Sequence, residues 1–529
     1  MAAAAAQVVG VVGAGTMGAG IAQLAAAAGA RTLVHDPDEL ALQRGLDRAR
    51  EGLSKWAAKG RAATDAPNLL HPAGDLAGLA PCDLVIEAAP ESLALKHELF
   101  AALSQAAPQA VLASNTSSIP ITDIAPAAAD PRRVVGLHFF NPAPLMALVE
   151  LIAGLDSSAG ALELARRTAE AMGKRVIDAA DGPGFLVNRC NRPFGLEGLR
   201  LVQERVADAA TVDRVVRLEG GFRMGPFELA DLVGLDTGLE VARSFAELSF
   251  GEPRWRPSPL VARMVAAGRL GRKTGRGWYA YEEGAPYRPD DGPPPRDGLP
   301  GGGDGRLVVV AGDLVVAHEL RELAAGAGFD AREPADADGE VPWLAVDCGT
   351  EADDDAPPLQ GAPRLVLCAE GSLAQLDAGG TGAGFHVLPP LETARLVELT
   401  RSAGTSPAAA VRAEELVAAL GRHAAWVGDA PGLVLGRIVC QLVNEAAFAV
   451  GEGVGSPDDV DAGMVLGLNH PRGPLTWADA IGLDHVLAVL GALRDELGEE
   501  RYRAAPLLRR LVAEGRLGAA TGAGFHEHG

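Results

Sequence analysis

Val8-Val9-Gly10-Val11-Val12-Gly13-Ala14-Gly15-Thr16-Met17-Gly18 is a strand-length apolar run that breaks into glycines spaced G-x-G-x-x-G. The helical-looking Ile21–Ala28 follows, then a second apolar run, Arg31–His35, closed by Asp36. Strand, glycine turn, helix and strand make a β-α-β start. In such a turn Gly13 permits the tight bend and Gly15 lets backbone amides approach a pyrophosphate. Gly18 allows helix and strand to pack closely. The helix N-terminus adds a dipole favourable to the anion. Asp36 is placed to accept from a ribose 2′-hydroxyl, and its charge would repel a 2′-phosphate. The pattern therefore predicts NAD rather than NADP, with Gly13, Gly15, Thr16, Met17, Gly18 and Asp36 as candidate cofactor contacts.

Outward from this stretch, Leu84–Ile86, Val111–Ala113 and Val134–Leu137 read as further buried strands separated by helical spacers. Apolar runs of this kind predict a mostly parallel, doubly wound sheet. From Pro183 to about Tyr281 strand signals vanish and amphipathic helical periods dominate. Residues 284–305 are rich in proline and glycine without apolar periodicity, and read as a linker. Strands resume at Leu307–Val310, Trp343–Val346 and Arg364–Leu367, before a second helical segment. The domain division predicted is 1–182, 183–283, the 284–305 linker, 306–430 and 431–529.

The two halves are related. Gly136-Leu137-His138 recurs as Gly384-Phe385-His386, and the same shift of 248 joins Glu150 to Glu398, Pro183-Gly184 to Pro431-Gly432, and Gly234-Leu235-Asp236 to Gly482-Leu483-Asp484. A register kept for about a hundred residues is a duplicated domain rather than a solenoid repeat. The second copy has lost chemistry: Gly312, Leu314 and Ala317 fall opposite the three glycines, and Ala335 opposite Asp36. A branched Leu314 would obstruct a pyrophosphate, so this copy is expected to keep its sheet and bind no dinucleotide.

With 529 residues the chain has room for three or four domains. A net charge of −22 disfavours nucleic acid or an anionic membrane surface as partner. The five cysteines show no CxxC or CxxxC pairing and suggest reduced thiols, with neither disulfide nor metal site. Ala2–Ala6 lacks a basic flank and Val8–Val12 is too short to span a bilayer, so a cytoplasmic protein is the expectation.

His138 ends a strand, and Glu150 lies inside the apolar run Leu148-Val149-Glu150-Leu151-Ile152. A carboxylate there is costly to bury unless paired. The turn Asn141-Pro142-Ala143-Pro144 allows the two strands to bring imidazole and carboxylate together. A carboxylate on one ring nitrogen fixes the tautomer and makes the other nitrogen more basic. That suits removal of a proton from an alcohol whose carbon gives hydride to NAD. A buried structural His–Glu pair is the alternative, since His386 and Glu398 keep the same spacing.

Ser114-Asn115-Thr116-Ser117-Ser118, His138-Phe139-Phe140-Asn141-Pro142, Pro183-Gly184-Phe185-Leu186-Val187-Asn188-Arg189, Gly225-Pro226-Phe227-Glu228-Leu229 and Gly271-Arg272-Lys273-Thr274-Gly275 resemble the 3-hydroxyacyl-CoA dehydrogenase family, over nearly all of residues 8–281. The two-copy length resembles the bacterial 3-hydroxybutyryl-CoA and 3-hydroxyadipyl-CoA dehydrogenases of phenylacetate breakdown. The resemblance implies a Rossmann domain followed by an all-α, 6-phosphogluconate-dehydrogenase-like domain, the pair duplicated. It implies His138 as general acid/base, Glu150 as its orienting partner, and Ser117 and Asn188 as donors to substrate oxygens. Asn188 falls opposite Gly436 while its Pro, Gly and Arg neighbours persist, which marks it as more than scaffold. Ser372 is taken as the counterpart of Ser117. Glu91, Lys96, Ser117, Asn141 and Lys273 are implied as further NAD contacts, and Lys59 as a contact to the CoA phosphates; the family's nearby serine is Gly52 here. An acyl-CoA partner is implied, with a homodimer or an internal pseudo-dimer through the two helical domains. A β-hydroxyacid dehydrogenase without CoA, or a catalytically silent relative, are the alternatives.

Overall fold

The apolar runs Val8–Val12, Leu84–Ile86, Val111–Ala113 and Val134–Leu137 all lie in strands of the computed structural model, which describes residues 5–284, 286–289, 291–292, 302–337, 339–349 and 361–528. Part of the expected linker, at 285, 290 and 293–301, lies outside the described residues. The first sheet comprises β1 (Val8–Val12), β2 (Arg31–His35), β3 (Leu70–Pro72), β4 (Leu84–Glu87), β5 (Val111–Ser114), β6 (Val134–Phe139), β7 (Leu148–Ala153) and β8 (Arg175–Ala180). Its order is β3-β2-β1-β4-β5-β6-β7-β8, parallel throughout except for the antiparallel β6–β7 pair. The order reverses direction beside β1, where a doubly wound sheet opens its ligand crevice. Continuous apolar strands fit a sheet covered on both faces, and Val9, Val11, Leu84, Ile86, Leu112 and Val135 are fully buried.

The second sheet comprises β9 (Leu307–Ala311), β10 (Asp330–Arg332), β11 (Leu344–Asp347), β12 (Arg364–Leu367), β13 (Ala383–His386), β14 (Leu396–Arg401) and β15 (His423–Trp426). Among the described residues it repeats the first order without a counterpart of β3: β10-β9-β11-β12-β13-β14-β15. The expected duplication of a Rossmann sheet followed by helices is thus present. Strands β3, β8, β10 and β15 were not anticipated, because they are short or alternate buried and exposed residues instead of forming an apolar run.

Helices follow each sheet: Arg192–Gln203, Ala209–Leu218, Pro226–Val233, Leu235–Leu248 and Pro259–Ala266 after the first. After the second come Leu435–Gly451, Pro457–Leu468, Pro474–Ile481, Leu483–Leu497 and Pro506–Ala513. Their starts are set locally. Asp208 accepts the Thr211 amide, and Glu228 reaches back to the Gly225 amide at 2.9 Å with Pro226 in the first turn. Gly234 joins two helices at φ +103°, a conformation that favours glycine.

Compactness does not follow chain order. One unit comprises residues Met1–Arg189 with Glu452–Leu468; the other comprises Cys190–Gly451 with Asn469–Gly529. In the first unit, helix Pro457–Leu468 packs on β7 and β8. In the second, helix Leu435–Gly451 packs along Arg192–Gln203. There the buried Arg437 guanidinium bonds Glu197 at 2.9 Å, Glu204 at 2.5 and 3.0 Å and the Tyr502 hydroxyl at 2.6 Å. No single helix among the described residues is long and apolar enough to cross a membrane. All five cysteines are buried.

Candidate active site

The antiparallel register of β6 and β7 sets His138 directly opposite Glu150. His138 Nδ1 lies 2.7 Å from Glu150 Oε2, with the carboxylate fully buried and the imidazole 4% exposed. The other carboxylate oxygen accepts the Leu186 and Val187 amides at 3.0 and 2.9 Å, so every oxygen of this buried acid is satisfied. A carboxylate at Nδ1 assigns the proton there and leaves Nε2 with its lone pair. That nitrogen lies 3.1 Å from the exposed Ser117 Oγ, which donates to it in this tautomer. The rings of Phe140 and Phe185, 4.7 and 6.0 Å away, complete the imidazole's surroundings.

Residues 116–118 are held in turn by Glu91. Its Oε1 accepts Thr116 Oγ1 at 2.6 Å, Ser118 Oγ at 2.9 Å, and the Ser117 and Ser118 amides at 3.1 Å each. Burial would raise the Glu91 carboxyl, but the Lys96 charge and these hydrogen bonds outweigh it and hold it below its ordinary range. Lys96 is not on a solvated helix face: it is 1% exposed, with Nζ at 2.8 and 2.9 Å from the two oxygens of Glu87. Glu87 also accepts Ser114 Oγ at 2.6 Å and the Ala89 amide at 2.7 Å. Sequence reasoning passed over Glu87, although an acid closing the apolar run Leu84-Val85-Ile86 was a signal of a buried partner.

The glycine loop has the form the dinucleotide reading requires. A Cβ on Gly18 would fall 1.7 Å from the Gly13 carbonyl oxygen, and one on Gly13 would fall 2.6 Å from the Ala88 carbonyl. A Cβ on Gly15 would meet nothing within 4 Å, which leaves the close backbone approach open. Asp36 accepts the Ala14 amide at 2.8 Å and the Asp38 amide at 3.0 Å, tying the end of β2 to the loop. Thr16 is exposed and Met17 half-buried at the start of the helix. These residues fit an NAD pyrophosphate and ribose.

Asn188 lies half-buried in the short helix Val187–Cys190, within the first unit. Asn141 is exposed at the turn between β6 and β7, and Lys59 is exposed just beyond helix Glu39–Ala57. Lys273 belongs to the second unit, where Nζ pairs with Asp236 at 2.6 Å. A Cβ on Gly52 would meet the amide end of Gln23 at 2.2 Å, so a larger residue here requires that side chain to move.

The second copy differs more than the sequence suggested. His386 and Glu398 are opposite in register, yet His386 Nδ1 has no partner and its Nε2 faces His485 Nε2 at 3.2 Å. A Cβ on Gly436 would fall 2.2 Å from His386 Cε1, so the ring occupies space that a side chain at this position would fill. Ser372 is not the counterpart of Ser117. Asp181 accepts the Ile121 and Thr122 amides, and Asp429 accepts the Leu373 and Ala374 amides, which sets Ser372 opposite Pro120. The β5–β6 and β12–β13 registers agree, and leave Ala369 opposite Ser117. The shorter connection after β12 moved the alignment. Asp181 and Asp429 keep the shift of 248 and were visible as a retained Asp-x-Pro-Gly signal.

A doubly wound sheet with this glycine loop, and a histidine–carboxylate pair beside a serine at the ends of its strands, define an NAD-dependent dehydrogenase. Residues 8–182 match the 3-hydroxyacyl-CoA dehydrogenase NAD binding domain, and residues 184–281 and 432–528 match that family's C-terminal domain. The chain belongs to the 3-hydroxyacyl-CoA dehydrogenase family. It is 34% identical to the 3-hydroxyadipyl-CoA dehydrogenase of Escherichia coli K12, over 95% of this chain and 97% of that one. It is 44% identical to the probable 3-hydroxybutyryl-CoA dehydrogenase of Deinococcus radiodurans, over 51% of this chain and 99% of that one. The crystal structure of 3-hydroxybutyryl-CoA dehydrogenase from Escherichia coli K12 superposes with a TM-score of 0.80 and 32% identity, covering 96% of this chain and 99% of that one.

Proposed function

We propose that this chain oxidises (3S)-3-hydroxyacyl-CoA to 3-oxoacyl-CoA with NAD⁺, at one centre built on the first sheet. The acyl group is 3-hydroxybutyryl or 3-hydroxyadipyl, in fatty-acid or phenylacetate catabolism. The observation that carries the reading is the buried His138–Glu150 bond of 2.7 Å, with Nε2 bonded to Ser117 beside an intact glycine loop.

The Gly13–Gly18 loop and Asp36 would hold NAD, which would supply the hydride acceptor for the carbinol carbon. The chain's own residues do the rest. His138 Nε2 takes the hydroxyl proton, and the charge that appears on the ring is met by Glu150 across 2.7 Å. Glu150 is aimed by the Leu186 and Val187 amides. The Ser117 hydroxyl and the Asn188 amide donate to substrate oxygens and stabilise the developing carbonyl without ionising. Glu91 and Lys96 support this centre by fixing the serine turn, and Lys59 with Arg61 meets the CoA phosphates. The second copy, with Leu314 in place of a glycine and no His386–Glu398 bond, serves as structure.

NADH with acetoacetyl-CoA or 3-oxoadipyl-CoA tests the reading by loss of nicotinamide absorbance. Turnover with CoA thioesters and none with free 3-oxo acids is expected. Equal turnover of free acids would favour a β-hydroxyacid dehydrogenase, and no turnover of either a catalytically silent relative.

A further inference from the structure

The two units exchange helices. In the first unit the Ala180 amide donates to Val454 at 2.8 Å, and helix Pro457–Leu468 then runs over β7 and β8. In the second unit the Gly428 amide donates to Val206 at 2.7 Å, and helix Ala209–Leu218 packs on β14. These are equivalent positions, 248 apart, so each sheet is completed by the other copy's helix.

The helix brought to the first sheet touches the residues that carry the histidine–carboxylate pair. Cβ atoms on Gly455 and Gly463 would meet Leu186 at 2.6 Å and Val187 at 2.6 Å, the residues whose amides hold Glu150. One on Gly467 would meet Leu148 at 2.8 Å and Phe140 at 3.3 Å, and Phe140 is the ring 4.7 Å from His138.

At the position equivalent to Gly467, the second unit has Glu219. It is 5% exposed, its oxygens have no well-formed donor, and its carboxyl faces Glu398. Glu398 still accepts the Val434 and Leu435 amides at 2.9 and 2.8 Å, but one on each oxygen, whereas Glu150 takes Leu186 and Val187 on Oε1 and keeps Oε2 for His138. Where Glu150 has an imidazole as its third neighbour, Glu398 has a second acid. Burial followed by mutual repulsion raises Glu219 well above the carboxylate range, and burial pushes Glu398 up to about 8, so the pair holds a proton.

We propose that Gly467, on a helix contributed by the second copy, is a positioning residue of the working centre: lacking a side chain, it leaves Glu150 free to hold His138, whereas Glu219 in the equivalent place engages Glu398. The later half of the chain thereby completes the working centre as well as covering it. This rests on the proposed role of His138 and Glu150.

Gly467→Glu and Gly467→Gln introduce side chains of the same size that differ in charge, in the full-length chain. The other charged groups on the packed elements are Glu91, Arg175, Asp178, the Arg189–Glu452 pair, Asp458, Asp459 and Asp461, and all are unchanged in both variants. Both variants are expected to lose kcat while the Kd for NADH stays within about twofold of the parent. In Gly467→Glu the loss is about 100-fold or more, the scale of acid–base catalysis. Its acidic limb of kcat/KM also moves to lower pH by about one unit, because a proton shared with Glu150 weakens the charge that favours imidazolium. In Gly467→Gln the limb stays in place. Equal losses with one common pH profile would make Gly467 a packing glycine and overturn the proposal.

If Gly467→Glu does not fold, the reverse change decides. In Glu219→Gly/Gly436→Asn a crystal structure is expected to show His386 Nδ1 at about 3 Å from Glu398. His386 still lying against His485 would count against the proposal. His138→Gln separates the two layers. If it keeps parental activity, the acid–base reading itself fails. If it is inactive while Gly467→Glu and Gly467→Gln behave alike, the positioning role alone fails.

Discussion

At the scale of single residues, the centre depends on which donors a buried carboxylate receives. Glu150 has two amides and one imidazole; Glu398 has two amides and another acid. His138→Gln is expected to lower kcat/KM by about 10²–10⁴-fold, the usual span for a general acid–base group. Glu150→Gln should fall in the same range, since an amide neither fixes the tautomer nor meets the ring's positive charge. His386→Gln should change turnover less than about twofold, because its imidazole faces only His485. Steady-state kinetics on the three variants, with NADH binding as control, makes the comparison. The grouping of His138, Glu150 and Ser117 was legible in the sequence from spacing and family resemblance, and the role of Asn188 is proposed from that resemblance. Glu87, Phe140, Phe185 and Gly467 were not legible, since a buried acid, two aromatic rings and a helical glycine look like ordinary scaffold until their neighbours are known.

At the scale of elements, the glycine loop and the long apolar strands were readable because their signals are local. The edge strands were not, because their polar alternation resembles loop. Helix pairing shows the same limit. Helix Leu435–Gly451 reads as apolar and buried, but nothing in its sequence says that Arg437 reaches Glu197 and Glu204 on Arg192–Gln203. Arg437→Leu removes the cation shared by Glu197 and Glu204 and leaves the buried Glu197 still paired with Arg200, which should destabilise the protein by about 1–3 kcal/mol. A lower Tm with NADH binding preserved is the expected result, the loop lying in the other unit.

At the scale of the whole molecule, duplication becomes exchange. A chain ending before residue 306 lacks helix Pro457–Leu468 and exposes the apolar side chains it covers, among them Leu148, Ile177, Leu186 and Val187. Such a fragment is expected to aggregate on size exclusion and to lose activity; a monomeric, fully active fragment would refute the covering role. The acid pair gives a second whole-chain measurement. A carboxyl raised above its unfolded value stabilises the fold while protonated. That contribution is complete below about 4.5 and is lost as pH climbs through about 8. The neutral buried His386 and His485 act oppositely: their contribution is present above 6.5 and falls away as pH drops, for His485 towards about 4. Between pH 6.5 and 9 the carboxyl pair changes together with Asp213, raised by burial to about 7, and Lys174, lowered by burial to about 8, and only the pair differs between parent and variant. Tm should fall less steeply over that interval in Glu219→Gln than in the parent, because a glutamine amide donates to ionised Glu398 without needing a proton.

The sequence by itself determined the sheet type, the cofactor loop, the duplication and the histidine–carboxylate pair, because each is written in short-range spacing or in comparison of the two copies. Only the tertiary structure decided which copy's helix completes which sheet, and that Ser372 stands opposite Pro120. It also decided that His386 turns away from Glu398. Those outcomes depend on space and charge supplied from residues far along the chain, such as Gly436, Glu219 and Gly467, whose effect exists only where the folded backbone brings them together.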